Sequence, residues 1–257
     1  METKLLLKKL GKMFPKKIAK ANHDFVGLMM GTLPKEVRSV LLCLDFDEFV
    51  MDEIEANGYT PDLIITHHPF IYGRKKDIFF FDPQKESLSK KIVDKNLTIY
   101  SMHTNFDGGS GGMNDTLAKM LNLGNVRRLP DDYILRIGDL PREMTLIELA
   151  RYAKKNLNLK NVRVVQGNDD LIKTIGIIGG GGSSYYKKAM HNGAQAFISG
   201  DAPHWMRRDV LRYKMNYIDV AHEVERVFMG RMKEILSSLD SNIKITIIDH
   251  EEEVETI

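Results

Sequence analysis

The amino-acid sequence predicts an α/β protein with two similar α/β lobes, each with a largely parallel or mixed sheet and flanking helices. Two observations support this fold class. Short apolar segments rich in β-branched residues alternate along the chain with amphipathic segments of helical period. The segments between predicted strands mostly contain a helix of about ten residues or more, as a crossover between parallel strands requires.

The first predicted lobe spans residues 1–125, with a closing contribution from the C-terminal segment. Its first strand covers residues 37–44, and an amphipathic helix then ends at Asn57-Gly58. Asn114 has the residue type and position of a helix N-cap. The remaining elements are a strand over 62–66, a helix over 87–95, a strand over 97–102 and a helix over 114–121.

The second predicted lobe, residues 126–257, has the same alternation but no repeat at the level of residues. The turn-rich segment 124–143 separates the lobes and contains a strand-like alternation over 133–137. Thr145 and Glu148 predict a capping box at the start of a helix. The later elements are strands over 174–178, 194–199, 216–220 and 243–248 and helices over 184–191, 204–213 and 223–239.

Composition and charge exclude several classes of protein. The chain is 43% hydrophobic and 28% charged, which is typical of a globular protein and not of a disordered one. No apolar run approaches the roughly 18 residues of a membrane helix. The net charge of +2 gives no argument for nucleic-acid binding, and Cys43 has no second cysteine to pair with. We therefore expect a soluble, cytoplasmic protein with no membrane partner.

Histidines and carboxylates follow three of the predicted strands. His67 and His68 follow the strand over 62–66, and His222 follows the strand over 216–220. Open α/β sheets bind ligands beyond the carboxyl ends of their strands. Side chains of adjacent extended residues point in opposite directions, so His67 and His68 can each reach one of two neighbouring ions. His222 and Glu225 are three residues apart at the start of a helix and share one face.

His103 and Asp107 follow the strand over 97–102, with Asp107 in a glycine-rich turn that permits close backbone approach to a ligand. Three imidazoles and two carboxylates suit Zn, Fe, Mn, Co or Ni better than Ca or Mg. The candidate ligands of two such ions are His67, His68, Asp107, His222 and Glu225. Because the two carboxylates offset only part of the charge of two divalent ions, the site keeps two excess positive charges, which favours an anionic substrate and hydrolysis. Structural interpretations stay open for each motif: Asp107 can cap a turn, and His222 with Glu225 can form a surface helical pair.

The same motifs give the chain a family resemblance. His67-His68-Pro, His103-Thr-Asn-Phe-Asp107, Ser-Gly-Asp201 and Asp219-Val-Ala-His222-x-x-Glu225 occur in this order. The chain resembles the dinuclear-metal, hexameric family of GTP cyclohydrolase 1 type 2 homologs, in its short form without an inserted third domain. The resemblance implies a dinuclear site between the lobes, with five ligands: His67, His68, Asp107, His222 and Glu225. It also implies that Asp107 and Glu225 share one ion.

The resemblance further implies a homohexameric toroid, a trimer of dimers. The leading functional hypothesis is a two-metal hydrolase acting on a nucleotide-like substrate, of GTP cyclohydrolase or phosphoester hydrolase type, with His103 as the candidate catalytic proton carrier. The alternative is a metal-stabilised ring that acts as a protein-binding or regulatory scaffold without turnover. DNA binding across the ring is a weaker third hypothesis, because the chain is nearly neutral.

Several other features have two interpretations. The loop 179–182 is either a tight turn or an anion site at a helix start. The basic run 74–76 is either a solvated face or a surface that steers a phosphate towards His67 and His68. His204 lies three residues after Asp201, whereas the family places a histidine four residues after it. Trp205 is predicted to lie in an interface or the core rather than to stack on a base.

Overall fold

Local sequence signals explain many of the elements in the computed structural model, which describes residues 1–254. Asp47 caps the third helix by accepting the Val50 amide, and Gly58 ends that helix in the left-handed conformation, with φ +61°. The elements of this part of the chain are α1 (Thr3–Met13), α2 (Lys16–Ala21), β1 (Gly27–Met30), β2 (Ser39–Cys43), α3 (Glu48–Asn57), β3 (Leu63–Thr66), α4 (Lys75–Phe81), α5 (Pro83–Asp94), β4 (Ile99–Ser101) and α6 (Thr104–Gly108).

The next part of the chain contains the predicted capping box. The Thr145 side chain accepts the Glu148 amide, and the Glu148 carboxylate accepts the Thr145 amide, so this prediction is confirmed. The elements here are α7 (Met113–Met120), β5 (Gly124–Leu129), β6 (Asp132–Met144), α8 (Leu146–Asn156), β7 (Val162–Val165), β8 (Ile172–Ile177), α9 (Tyr186–His191), β9 (Ala196–Gly200), α10 (His204–Arg212) and β10 (Asn216–Val220).

The chain then returns through α11 (Val227–Leu239) and β11 (Lys244–Ile247). It divides into two compact units, one of Met1–Ser110 with Phe228–His250 and one of Gly111–Val227 with Glu251–Ile257. The last three residues of the predicted second lobe, 255–257, lie outside the described residues.

The sheet of the first unit has the strand order β1-β4-β3-β2-β11 within the described residues. Strands β4, β3, β2 and β11 are parallel, and β1 is an antiparallel edge strand. All four residues of β3 are buried and three of them are apolar, as expected for a central strand of a sheet covered on both faces. The carboxyl ends of the parallel strands consequently meet at one edge.

The sheet of the second unit has the order β5-β6-β8-β9-β10-β7 within the described residues. Its central strands β8, β9 and β10 are parallel, and its outer strands are antiparallel. Both units therefore contain a mixed sheet with flanking helices, which confirms the predicted α/β class.

Two local predictions need correction. The helix predicted over 223–239 is two elements, a 3₁₀ segment His222–Arg226 followed by α11. Asn114 is not an N-cap: Gly112 occupies that position, and the Asn114 side chain donates instead to the Ile134 carbonyl at 2.9 Å. This long-range bond outweighs the local capping preference because Asn114 is fully buried and both of its polar atoms need partners.

Candidate functional site

Strands β2, β3 and β4 of the first unit are followed by histidines and an aspartate at one edge of the sheet. Asp45 comes after β2, His67 and His68 after β3, and His103 after β4. Because these strands are adjacent and parallel, the residues beyond their carboxyl ends lie side by side. Each of the three histidines offers a ring nitrogen within 4.8 Å of the other two. Three imidazoles at this spacing form a group that can hold a metal ion.

Oxygen atoms fix the orientation of the His67 and His68 rings. Nδ1 of His67 lies 2.9 Å from the Met102 carbonyl oxygen, and Nδ1 of His68 lies 2.7 Å from an Asp45 carboxylate oxygen. An imidazole that donates a hydrogen bond from Nδ1 presents the lone pair of Nε2, as metal-binding histidines commonly do. Both rings are therefore oriented to use Nε2 as the ligand atom.

The Asp24 carboxylate holds His103 in a comparable way. It lies 2.9 Å from His103 Nδ1 and also accepts the Thr104 amide at 3.2 Å and the Thr104 hydroxyl at 2.6 Å. Burial raises the pKa of Asp24, but the hydrogen bond and charge of His103 together with the Thr104 bonds outweigh burial and hold that pKa below its ordinary value. An ionised Asp24 thus orients His103.

Asp107 lies within α6, one helical turn after His103. The Asp107 carboxylate is largely buried, and its Oδ1 lies 3.5 Å from His67 Nε2. The sequence places Asp107 in a glycine-rich turn, whereas the structure places it in a short helix that ends just before Gly109. A Cβ at Gly109 would lie 2.7 Å from the Asn105 carbonyl oxygen, so only glycine permits this close helix end.

The second unit brings His222, Glu225 and Asp201 together. Asp201 follows β9 and His222 follows β10, and these strands are parallel neighbours. Nε2 of His222 lies 3.1 Å from Glu225 Oε2, and its Nδ1 lies 2.6 Å from Asp201 Oδ2. Glu225 is buried, and the 3₁₀ segment places it on the same face as His222. An imidazole and a carboxylate are thus directed to one point.

Two carboxylates change the protonation of His222. The Glu225 hydrogen bond and charge raise the pKa of His222 to about 9, burial opposes them, and Asp201 adds to the increase. His222 is therefore protonated at neutral pH when no cation lies beside it. A divalent cation between His222 and Glu225 would replace that proton as the positive partner.

The glycine loop after β8 lies against Glu225. Gly180 has φ +56°, and a Cβ there would overlap Glu225 Oε1 and lie 2.6 Å from Glu225 Cδ. The Gly180 carbonyl oxygen accepts from the Gly182 amide at 2.9 Å, the Gly200 amide at 2.8 Å and the Ser199 hydroxyl at 3.1 Å. The loop is thus an anchored turn beside a carboxylate, and its sequence alone left a turn and an anion site equally open.

Asn114 connects this loop to α7. Its Oδ1 accepts the Gly179 amide at 2.8 Å, and its Nδ2 donates to the Ile134 carbonyl. Asn114 is thus a positioning residue for the loop, a role that the sequence did not suggest.

A cavity of about 290 Å³ in the second unit reaches His222. Its lining includes Asp201, Asp219 and Arg163. A nitrogen of the exposed Arg163 guanidinium lies 2.9 Å from Asp219 Oδ2, whose side chain is fully buried. Burial raises the pKa of Asp219 above its ordinary value, because the cost of desolvating the carboxylate outweighs the nearby Arg163 charge.

The structure leaves some singled-out residues apart from these groups. His204 and Trp205 lie on the exposed side of the first turn of α10, and Trp205 is 63% exposed in the single chain, so it is not part of the core. Cys43 is buried, as its place in an apolar strand predicts.

Sequence reasoning missed Asp24 and Asp45. Asp45 follows β2, so the rule that drew attention to His67 and His103 also applies to it. Asp24 contacts a residue 79 positions away and precedes the short edge strand β1, so no local signal identifies it.

The predicted site residues are divided between the two units. His67, His68, His103 and Asp107 belong to the first unit, and His222 and Glu225 belong to the second. Metal binding by these residues stays a prediction.

The chain is thus an α/β protein with mixed sheets and with histidines and carboxylates clustered beyond its strand ends. Residues 1–253 match the family described as Duf34/NIF3 (NGG1p interacting factor 3), and the chain belongs to this family.

Named relatives and a solved structure agree with this assignment. The chain is 30% identical over 236 residues to a "GTP cyclohydrolase 1 type 2 homolog" of Clostridium perfringens, covering 89% of both chains. It is 32% identical to a Streptococcus pneumoniae protein of the same name, covering 83% of this chain and 82% of that one. The crystal structure of Staphylococcus aureus protein SA1388 superposes with a TM-score of 0.86 at 25% identity, covering all of this chain and 99% of the other.

Within residues 1–254, none of the helices is both long enough and apolar enough to cross a lipid bilayer.

Proposed function

We propose that this chain is a two-metal hydrolase that acts on a nucleotide-like substrate. The proposed ligands are His67, His68, Asp107, His222 and Glu225. The observation that carries the proposal is the orientation of the three histidines in this set. Each follows a parallel strand, and each has an oxygen at Nδ1, which directs Nε2 as the ligand atom.

The donor chemistry supports divalent transition metals. Three imidazoles and two carboxylates favour Zn, Fe, Mn, Co or Ni over the oxygen-preferring Ca and Mg. The family resemblance supports a shared ion for Asp107 and Glu225, which come from different units in this proposal. When bound, a pair of divalent cations supplies Lewis-acid activation of water and of an anionic substrate oxygen.

His103 is the proposed proton carrier. Its Nδ1 is held by the ionised Asp24, which stabilises the imidazolium form after a proton is taken up at Nε2. His103 is partly exposed, with 23% of its side chain accessible, so it can exchange protons with substrate or solvent. Asp24 positions this ring and keeps its tautomer constant.

The names of the relatives direct the choice of substrate. The Clostridium perfringens and Streptococcus pneumoniae proteins are called GTP cyclohydrolase 1 type 2 homologs, so GTP is the first compound to test. We further propose, from the resemblance, that the chain assembles as a cytoplasmic homohexamer. Light scattering of the purified protein measures the mass of the assembly, and the mass of a monomer or dimer would contradict the proposed hexamer.

The decisive experiment pairs metal analysis with a hydrolysis panel. Protein purified anaerobically is analysed by mass spectrometry of its metals, with about two ions per chain expected. GTP, other nucleotides, phosphodiesters and cyclic amides are then incubated with protein supplied with Mn, Co, Zn or Fe. Asp107→Ala is expected to abolish metal-dependent turnover while the chain stays folded. His191→Ala, an exposed histidine on α9, is the matched control and is expected to retain full activity.

Two outcomes would reject the proposal. Protein that binds no metal contradicts the ligand set. Protein that binds two ions but turns over none of the panel supports instead a metal-stabilised scaffold that binds partners without catalysis.

A further inference from the structure

The first unit contains a basic cleft of about 600 Å³ that the proposed metal ligands do not explain. It lies between α2, the segment that leads into β1 together with β1 itself, and the chain around Gly73. Three lysines line it: Lys16, Lys20 and Lys75. The sequence singled out the basic run 74–76, but gave no reason to group Lys75 with α2.

The charges in this cleft are unbalanced. Its lining has three ammonium groups and one carboxylate, that of Asp24, so two positive charges are in excess. Asp24 is engaged by His103 and Thr104. Among the described residues, 1–254, no carboxylate forms an ion pair with Lys16, Lys20 or Lys75.

The lysines have only weak partners in the cleft. Lys16 Nζ lies 5.6 Å from the centre of the Tyr100 ring, and Lys75 Nζ lies 3.5 Å from Met30 Sδ. Neither contact neutralises an ammonium group. Like charges lining one cleft repel each other, and an anionic ligand would remove that repulsion.

The size of the cleft favours a small molecule. Its volume falls within the range of about 300–1,000 Å³ for small-molecule sites. Phe25 and Leu28 expose apolar surface in it, at 46% and 45%, and Tyr72 packs edge-on against Phe25 at 5.4 Å. The lining therefore combines cations with an apolar wall, which suits a phosphorylated compound that contains a ring.

Asp24 relates the cleft to the candidate site. It lines the cleft and also holds Nδ1 of His103, whose ring nitrogen lies within 4.8 Å of those of His67 and His68. A ligand in the cleft therefore lies next to the residue that orients the proposed proton carrier.

We propose that this cleft binds the phosphate groups of the substrate through Lys16, Lys20 and Lys75. That the ligand is a substrate rests on the proposed function. Phosphate binding by the cleft can be measured separately. Lysine binds phosphate as a point charge, so the affinity depends on the ammonium groups and on salt.

The test uses inorganic triphosphate as the probe and the purified, metal-containing full chain. Lys16→Gln, Lys20→Gln and Lys75→Gln are combined in one variant. The matched control combines Lys154→Gln, Lys155→Gln and Lys233→Gln, which are exposed lysines outside the cleft. Calorimetry is expected to show at least about tenfold weaker triphosphate binding for the cleft variant, because three partly exposed charge pairs are lost. The control is expected to match the parent, and both variants to keep the parent metal content.

The results separate this proposal from the proposed function. Unchanged triphosphate binding in the cleft variant, an equal loss in the control, or no binding by the parent overturns the cleft proposal. If GTP is turned over, the cleft variant is expected to raise KM with kcat unchanged, and an unchanged KM overturns the proposal while the hydrolase survives. If no compound is turned over but the cleft variant alone loses triphosphate, the phosphate site stands and the hydrolase fails.

Discussion

The backbone of Gly180 lies directly against the carboxylate of Glu225, so closely that a Cβ at position 180 would overlap Glu225 Oε1. Gly180 is fixed in place because its carbonyl oxygen accepts three hydrogen bonds, from the Gly182 and Gly200 amides and the Ser199 hydroxyl. The position of this loop thus limits where the Glu225 carboxylate can lie, and this relationship provides a direct test of Glu225 as a ligand.

Gly180→Ala is expected to displace Glu225 and lower the metal content of the purified protein. Gly58→Ala is the matched control, because Gly58 has a similar φ of +61° and an added Cβ there would have no neighbour within 4 Å among the described residues. Both variants are expected to lose about 1–2 kcal/mol of stability from the left-handed backbone. Only Gly180→Ala is expected to lose metal. Equal metal content in the two variants would show that Glu225 is not a ligand or that the loop moves freely.

Asp45→Asn is expected to weaken metal binding without removing a ligand. The Asp45 carboxylate lies 2.7 Å from His68 Nδ1, and substituting such a partner commonly lowers metal affinity by about 10–100-fold. Competition with a chromogenic chelator measures the change. Asp52→Asn, an exposed aspartate on α3, serves as the control and is expected to keep the parent affinity. Identical affinities for both variants would argue against His68 as a ligand.

Asp115→Asn is expected to destabilise the second unit by about 3 kcal/mol, because Arg136 is fully buried and would lose the carboxylate charge of Asp115. This value is at the lower end for such pairs, since the Asp115 side chain is 26% exposed. Urea unfolding measures the loss. Asp77→Asn, which removes the exposed pair with Arg74, is expected to cost less than about 1 kcal/mol. A similar cost for both variants would show that the Asp115 carboxylate adds little to the stabilisation of Arg136.

The same pair predicts how stability depends on pH. Burial raises the pKa of Asp115, but the hydrogen bond and charge of Arg136 outweigh it and hold the pKa below its ordinary value. Because the pKa is lower in the folded state, the ionised carboxylate stabilises the fold at pH values above its unfolded-state pKa of about 3.9. This stability is lost as the pH falls towards the folded-state pKa. As the pH is lowered from 5 to 3, the melting temperature is therefore expected to fall less for Asp115→Asn than for the parent. Parallel curves would contradict this assignment.

The order of strands and helices was largely predictable, because the apolar segments at β2, β3, β9 and β10 are buried in continuous runs. The short antiparallel strand β1 and the exposed strand β7 were missed. Only the first and last residues of β1 are buried, and none of the four residues of β7 is, so both strands lack the continuous apolar signal of a central strand.

The sequence by itself determined the α/β class, the capping box at Thr145 and the placement of His67, His103 and His222 beyond strand ends. These features follow from local periodicity and from residues adjacent in the chain. Only the tertiary structure decided that Asp24 holds His103, that Gly180 confines Glu225, and that Lys75 shares a cleft with two lysines of α2. Such contacts join residues tens of positions apart, and strand pairing and packing, rather than local propensity, bring them together.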